Sequence, residues 1–400
     1  MSRIRTRSGL RTAALATTLV GVTATLVPAT GVAAADTWTP ASASVHAKDA
    51  AGRVQQRLDE LVSETGLPGA IATVKDSRGR TRTYVAGTAR IGTDQAIDPD
   101  SRVRVASNTK MFTATVVLQL VAEGDVELDR PVETYLPGLV RGSGNDGRRI
   151  TVRQLLQQQS GLPDYDSLVI EAGGSMDAVK HTYFEPHELL DAALAERREF
   201  RPGTKWAYSN TNYVVLGMLA QKVTGRPIGE LITRRVIEPL GLTDTYWPRV
   251  GEQRLRGPHP HGYLAEAPDA PWTDATRMDP SLGWAAGQLV STPGDLGRFM
   301  EGLLGGELLP RDVLAEMRKG VRAPGFDAEP GWRYGLGLAS RELGCGVTGW
   351  GHGGDIQGFE TRNLITDDGR WAAVAVTGLP TSLEMVAAVS GTVEDLVCAS

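Results

Sequence analysis

The distribution of strand-like sequence constrains this fold most: it occurs near both ends of the chain and is nearly missing between them. Toward the amino end, "AIATVKD" and "TRTYVAG" flank Ser77-Arg78-Gly79 and read as a β-hairpin. Toward the carboxyl end, "YGLGLAS", "FETRNLIT" and "WAAVAVT" read as strands, the last two joined by the turn Asp367-Asp368-Gly369. From 105 to 329 the pattern is mostly helical, broken by Gly/Pro-rich loops such as "GPHPHGYLAEAPDAPW". A helix over 50–66, where Val54, Leu58, Leu61 and Val62 recur at helical spacing, and an apolar helix over 383–397 complete the frame. The expected fold is α+β: an antiparallel sheet built from both termini (50–104 and 330–400) and flanked by helices, with an inserted, mainly helical domain (105–329).

The amino end reads as a leader. Arg3, Arg5, Arg7 and Arg11 precede the uncharged "TAALATTLVGVTATLVPATGVAAA", which ends in small residues, the pattern of a signal peptide cleaved after Ala35. A retained membrane anchor is the weaker reading, because the stretch is rich in Thr and Gly and no comparable apolar segment follows. Residues 36–49, polar with Pro and Ser, are expected to form a flexible leader. Losing 1–35 removes four arginines and no acids, so the net charge of −5 becomes −9. A field of that sign excludes nucleic acid and anionic membranes as favoured partners. The expected location is extracellular. Cys345 and Cys398 are the only cysteines. In an oxidising compartment a lone pair is expected to be bridged, closing a loop of roughly 50 residues and tying the last helix to the body. The alternative is two buried thiols.

The chemistry starts at "RVRVASNTKMFTATVVLQLVAEG". Met111, Phe112, Val116, Val117, Leu118, Leu120 and Val121 cover nearly every face of the helix that follows Ser107, so the helix is expected to be buried. A lysine at 110, inside that helix, is costly to bury unless its amine is hydrogen-bonded or has lost its proton. Positions i and i+3 share a helix face, so the amine reaches the Ser107 hydroxyl. An isolated Ser-x-x-Lys reads equally as an N-cap serine and a snorkelling lysine. Two further segments change that balance. "FRPGTKWAYSNTNYVVLG" carries Tyr208-Ser209-Asn210 in a loop before another apolar helix, and "GWGHGGDIQGF" carries His352-Gly353-Gly354 on what should be the first C-terminal strand. Separately these read as a half-buried tyrosine, a helix cap and a structural histidine. Together they match a Ser/Lys, Tyr/Asn, basic-Gly set.

On these motifs, and on "SNTKMFTATVVLQLVAEGDVELDRPVETYLPG", "LLQQQSGLPDY", "IEPLGLTDTYW", "GPHPHGYL" and "GWAAGQLVSTPGDLGRFM", the chain resembles the serine β-lactamase-like hydrolases. The resemblance is to the branch joining class C β-lactamases to secreted D-alanyl-D-alanine carboxypeptidases. Histidine in place of the lysine of Lys-Thr-Gly, and the two cysteine positions, resemble the carboxypeptidases. The resemblance implies an acyl-enzyme on Ser107, with Lys110 or Tyr208 as the base, and Tyr208 as proton donor to the leaving group. It places His352 near that hydroxyl, Asn210 on the substrate's acyl-side amide, and the backbone N–H groups of Ser107 and Asp355 in an oxyanion hole beside Gly354. It implies no cofactor and no metal. His259, His261, Asp269 and Asp274 superficially resemble ligands, but they lie in a Pro-rich loop without a zinc spacing.

The sequence also departs from that pattern. Carboxypeptidase members usually read His-Thr-Gly-Thr, and the two hydroxyls, with an arginine, hold the substrate's terminal carboxylate. Here the run is His352-Gly353-Gly354-Asp355. An acid at ~4 Å from a substrate carboxylate repels it by roughly 4 kcal/mol at an effective dielectric of about 20. Unless Arg341 or Arg362 holds that carboxylate, strict carboxypeptidase activity is disfavoured. Three readings stay open: a carboxypeptidase on D-configured stem peptides of peptidoglycan that also takes β-lactams as covalent ligands; an esterase or D-amino-acid amidase or peptidase on the same scaffold; and a penicillin-binding module without turnover.

Overall fold

The pairing of the first strand with the last explains how the two ends of the chain meet. The computed structural model describes residues 40–268 and 270–400, so the signal peptide expected at 1–35 lies outside the described residues. Residues His46–Ser400 form one unit, and the site lies within it. The first helix, α1 (Pro40–Thr65), begins upstream of residue 50, where apolar spacing had placed its start and a flexible leader was expected before it. Pro40 at the first helical position is pre-set for a helix, and the alanines at 41, 43 and 47 favour continuing it without leaving an apolar stripe to read.

The expected hairpin is present as β1 (Gly69–Lys75) and β2 (Thr81–Gly87). The helical insertion includes α2 (Thr109–Glu123), α3 (Tyr165–Gly173), α4 (Thr211–Thr224), the short α5 (Trp284–Gly287) and α6 (Pro293–Leu304). Six strands follow: β3 (Val321–Arg322), β4 (Arg333–Tyr334), β5 (Ala339–Glu342), β6 (Thr348–Ile356), β7 (Phe359–Thr366) and β8 (Trp371–Val376), then α7 (Leu383–Ala399). The eight strands make one antiparallel sheet in the order β2-β1-β8-β7-β6-β5-β4-β3. Alternation along the strands sorts its two faces. Ala70, Ala72 and Val74 of β1 and Val374 and Val376 of β8 join a core with Leu58 and Leu61 of α1 and Val389, Val393 and Leu396 of α7. Ile71, Ala373 and Ala375 point the other way, into the core of the helical insertion. The α+β architecture read from the sequence is the one found.

Two details depart from expectation. "YGLGLAS" is not one strand: it turns at Gly335–Leu338 between β4 and β5. Gly337 takes φ +85°, and a Cβ there would lie 2.4 Å from the Ala114 Cβ of α2, so only glycine lets this turn sit on that helix. The strand carrying His352 is likewise not the first of the C-terminal set, because three short strands precede it. The disulfide is formed: Cys345, in the turn between β5 and β6, bonds Cys398 of α7 with Cα atoms 5.9 Å apart.

Candidate active site

Ser107 is presented by a strained turn. The pair Val103–Arg104, laddered to Val290–Ser291, leads into a single 3-10 turn at Ala106–Asn108 and then directly into α2. Ala106 holds φ +46°, a left-handed conformation that costs a non-glycine residue on the order of 1 kcal/mol. Gln158 and Trp284 are also at positive φ. Asn108 anchors the turn to the sheet: its Nδ2 donates to Thr361 Oγ1 of β7 at 2.7 Å and to Val105 O at 3.1 Å.

Helix α2 is buried on all sides as its composition requires, with Phe112 stacked on Phe299 of α6 at 3.8 Å. Polar atoms on such a helix must find partners. Lys110, wholly buried, donates to Ser107 Oγ at 2.9 Å, Asn210 Oδ1 at 2.7 Å and Ala286 O at 2.8 Å. Burial pushes its amine down to about 7, against the opposing pull of Asp164, Asp166 and Asp355. Once deprotonated, the amine keeps two N–H groups for the two carbonyl oxygens, and its lone pair is left facing the Ser107 hydroxyl.

Tyr208 lies beside this pair, its ring 4.9 Å from Lys110 Nζ. Burial holds its phenol well above the usual range, with the adjacent Ser107 hydroxyl pulling the other way. Asn210, just before α4, is held by Asp164, whose carboxylate accepts from the Asn210 backbone N–H at 3.0 Å and from Nδ2 at 3.1 Å. That bond fixes which end of the Asn210 amide faces Lys110.

On β6, His352 is buried and its nitrogens are both engaged: Nδ1 with Gly353 O at 2.5 Å and Nε2 with the Tyr334 hydroxyl at 3.0 Å. Burial first, then the Lys110 charge, push it down to about 3, so it is neutral. It carries its proton on Nδ1, accepts at Nε2, and stands 6.2 Å ring to ring from Tyr208. His352 was expected to sit near the Tyr208 hydroxyl; both its nitrogens are bonded elsewhere, so it packs against Tyr208 with Phe326 and Tyr334. Gly354 runs against the nucleophile's backbone: a Cβ there would lie 2.3 Å from Val105 O and 2.9 Å from Ser107 N. Asp355, 53 % exposed, accepts from Arg362 Nη1 at 2.9 Å. Arg362 also meets Asp327 at 3.4 Å and Glu360 at 3.2 Å. Burial holds the Glu360 carboxyl well above the usual carboxylate range, against the opposing pull of Arg362. Arg341 is paired with Glu394 of α7. Each of the two arginines expected near the cleft is therefore already bound to carboxylates of the chain itself.

Ser107, Lys110, Tyr208, Asn210, His352, Gly354 and Asp355 thus converge from three separated segments. A family model described as Beta-lactamase matches residues 54–389. The chain belongs to the β-lactamase family. Within that fold, it is similar to the crystal structure of a D-stereospecific amidohydrolase from Streptomyces sp.: 39% identity, TM-score 0.76, 84% of this chain and 97% of that one. A D-amino acid amidase from Ochrobactrum anthropi SV3, complexed with D-phenylalanine, shares 27% identity with a TM-score of 0.76 over 88% of this chain and 99% of that one. Penicillin-binding protein 4 of Amycolatopsis lactamdurans is 29% identical over 81% of this chain and 84% of its own length.

Sequence reasoning missed the supporting acids and one phenol. Asp164 stands in the quoted "LLQQQSGLPDY" stretch and Asp166 follows it, but the bonds of Asp164 reach Asn210, far along the chain. Tyr334, Asp327 and Glu360 gave no local signal. Among the described residues no group of three or more His, Cys, Asp or Glu side chains is placed to hold a metal ion. His261 Nδ1 meets Asp274 at 2.6 Å in a different cleft, and Asp269 lies outside the described residues. No helix among the described residues is long and apolar enough to cross a membrane.

Proposed function

We propose that the chain is a serine amidohydrolase that acylates Ser107 with a D-amino-acid amide, or a peptide whose leaving group lacks a free carboxylate. Neutral Lys110 takes the Ser107 proton as Oγ attacks the carbonyl carbon. The N–H groups of Ser107 and Asp355 receive the developing oxyanion. Tyr208, protonated by its burial, passes its proton to the departing amine and recovers one from Lys110; water then attacks the acyl ester by the reverse path. His352 orients the aromatic wall behind Tyr208.

One observation carries this choice over a carboxypeptidase: Arg362 is surrounded by Asp327, Glu360 and Asp355, and Arg341 is paired with Glu394, so neither is free for a substrate carboxylate. Similarity to a D-stereospecific amidohydrolase supports the same reading. The leader sequence and the disulfide support an exported protein.

The experiment compares a D-alanyl-D-alanine peptide with its C-terminal amide, using Ser107→Ala as the inactive control. The amide should be turned over at least about tenfold faster, and Asp355→Thr, which removes the charge and restores a hydroxyl, should shift preference toward the free acid. A strong wild-type preference for the free acid, unchanged by Asp355→Thr, returns the protein to the carboxypeptidases. A stable β-lactam adduct without hydrolysis of either peptide leaves only a binding module.

A further inference from the structure

A second cleft, of about 720 Å³, adjoins the one that opens on Ser107. His181, His259, His261, Lys180, Arg254 and Arg277 line it, against a single lining carboxylate, Asp274. The acyl-transfer mechanism uses none of these side chains. One turn of chain separates the two clefts. Met176 and Gln357 line the Ser107 side, where Gln357 Nε2 donates to Met176 O at 3.3 Å, and the helical turn Met176–Val179 leads directly to Lys180 on the other side.

The second cleft is held in shape by a buried cation. Arg104, on the short strand that leads into the Ser107 turn, donates through Nη2 to Gln253 O at 2.8 Å and to Met278 O at 3.1 Å. Those carbonyls belong to the neighbours of Arg254 and Arg277, so one guanidinium fixes the backbone beneath two others. Lys180 is paired with Asp177, but among the described residues Arg254 and Arg277 have no carboxylate partner and donate no side-chain hydrogen bond. Each histidine is bonded through Nδ1 to an oxygen: His181 to Gln253 Oε1 at 3.0 Å, His259 to Gly257 O at 2.7 Å and His261 to Asp274 Oδ2 at 2.6 Å. Nδ1 therefore carries a proton in all three, and Nε2 is the nitrogen left for a ligand.

Two unpaired guanidiniums in a cleft select an anion. The imidazoles narrow its class. A phosphate monoester, with a second ionisation near pH ~6, presents both P–O⁻ and P–OH, so it can accept from a protonated Nε2 or donate to a neutral one. An ionised carboxylate can only accept. The volume is that of a small-molecule site and leaves room for the group that carries the phosphate. We propose that this cleft binds a phosphate monoester of a small molecule, at a site distinct from the acyl-transfer centre.

The test uses the full-length protein with two probes, glycerol phosphate and inorganic phosphate. Titration calorimetry should give a dissociation constant for the ester of about 1 mM or below. The ester should shift the imidazole proton signals of His181, His259 and His261 in the NMR spectrum and leave those of His187 and His352, which do not line the cleft, in place. Replacing both arginines, Arg254→Gln with Arg277→Gln, should weaken binding about tenfold or more, while hydrolysis of p-nitrophenyl acetate at Ser107 changes by less than about twofold. Absence of binding at millimolar ester, or shifts spread equally over the histidines inside and outside the cleft, overturns the proposal on the wild-type protein alone. Undiminished binding by a double variant that still hydrolyses the acetate overturns it as well. Binding of inorganic phosphate with exclusion of the ester overturns the assignment to a monoester and leaves a free-ion site.

Discussion

Lys110 is the residue on which the chemistry turns, and its burial makes activity depend on pH in a definite direction. Its amine is cationic below about 7 and neutral above. Only the neutral form can take the Ser107 proton, so kcat/KM on p-nitrophenyl acetate should rise as pH passes through about 7 and then level off. Tyr208, held well above its usual value, adds no fall over that range. A flat profile from about pH 5 to about pH 9 would remove Lys110 from the role of base. Gly354 is the second sensitive position. The methyl of Gly354→Ala would meet Val105 O and Ser107 N, both backbone atoms that cannot swing aside. Strand β6 must then move off the nucleophile, and loss of one oxyanion donor should lower kcat by about 10²–10³. Near-normal turnover of that variant would place the oxyanion hole elsewhere.

Among the elements, α7 is bound to the sheet by more than apolar packing. The Cys345–Cys398 bridge spans 53 residues, and the Arg341–Glu394 pair joins β5 to the same helix. In the chain-entropy model a loop of that length is worth about 4 kcal/mol. Replacing both cysteines by serine should therefore lower Tm by several degrees while leaving acylation of Ser107 intact; an unchanged Tm would show the bridge to be energetically idle. The elements that could be read in the sequence were those with a period long enough to show. The alternation in β1 and β2, the apolar run of β8 and the all-round apolarity of α2 each extend over several residues. Strands β3 and β4 have two residues apiece and no period at all. The site divides similarly. Ser107 and Lys110 share one helical turn, so their contact follows from spacing alone. The bond between Tyr334 and His352, the clamp of Asp164 on Asn210 and the ring of acids around Arg362 are made in space between distant segments, and no local pattern encodes them.

At the scale of the whole molecule, the sheet is completed by a partner that arrives late. Strand β1 sits between β2 and β8, with Ala70 opposite Val376 and Lys75 opposite Trp371. The β1–β2 hairpin can close on its own, but a two-stranded ribbon is marginal in water, and its apolar residues stay uncovered until β8 and α7 exist. The interval between pairing strands is nearly the whole chain, which places the decisive contacts among the least local that a domain this size can have. During synthesis at about 5–20 residues per second, the sheet cannot be assembled until the last strand has left the ribosome. The helical insertion, with a core of its own, can pack earlier, but the strand that runs against the Ser107 turn takes its place only when β6, β7 and β8 join β1.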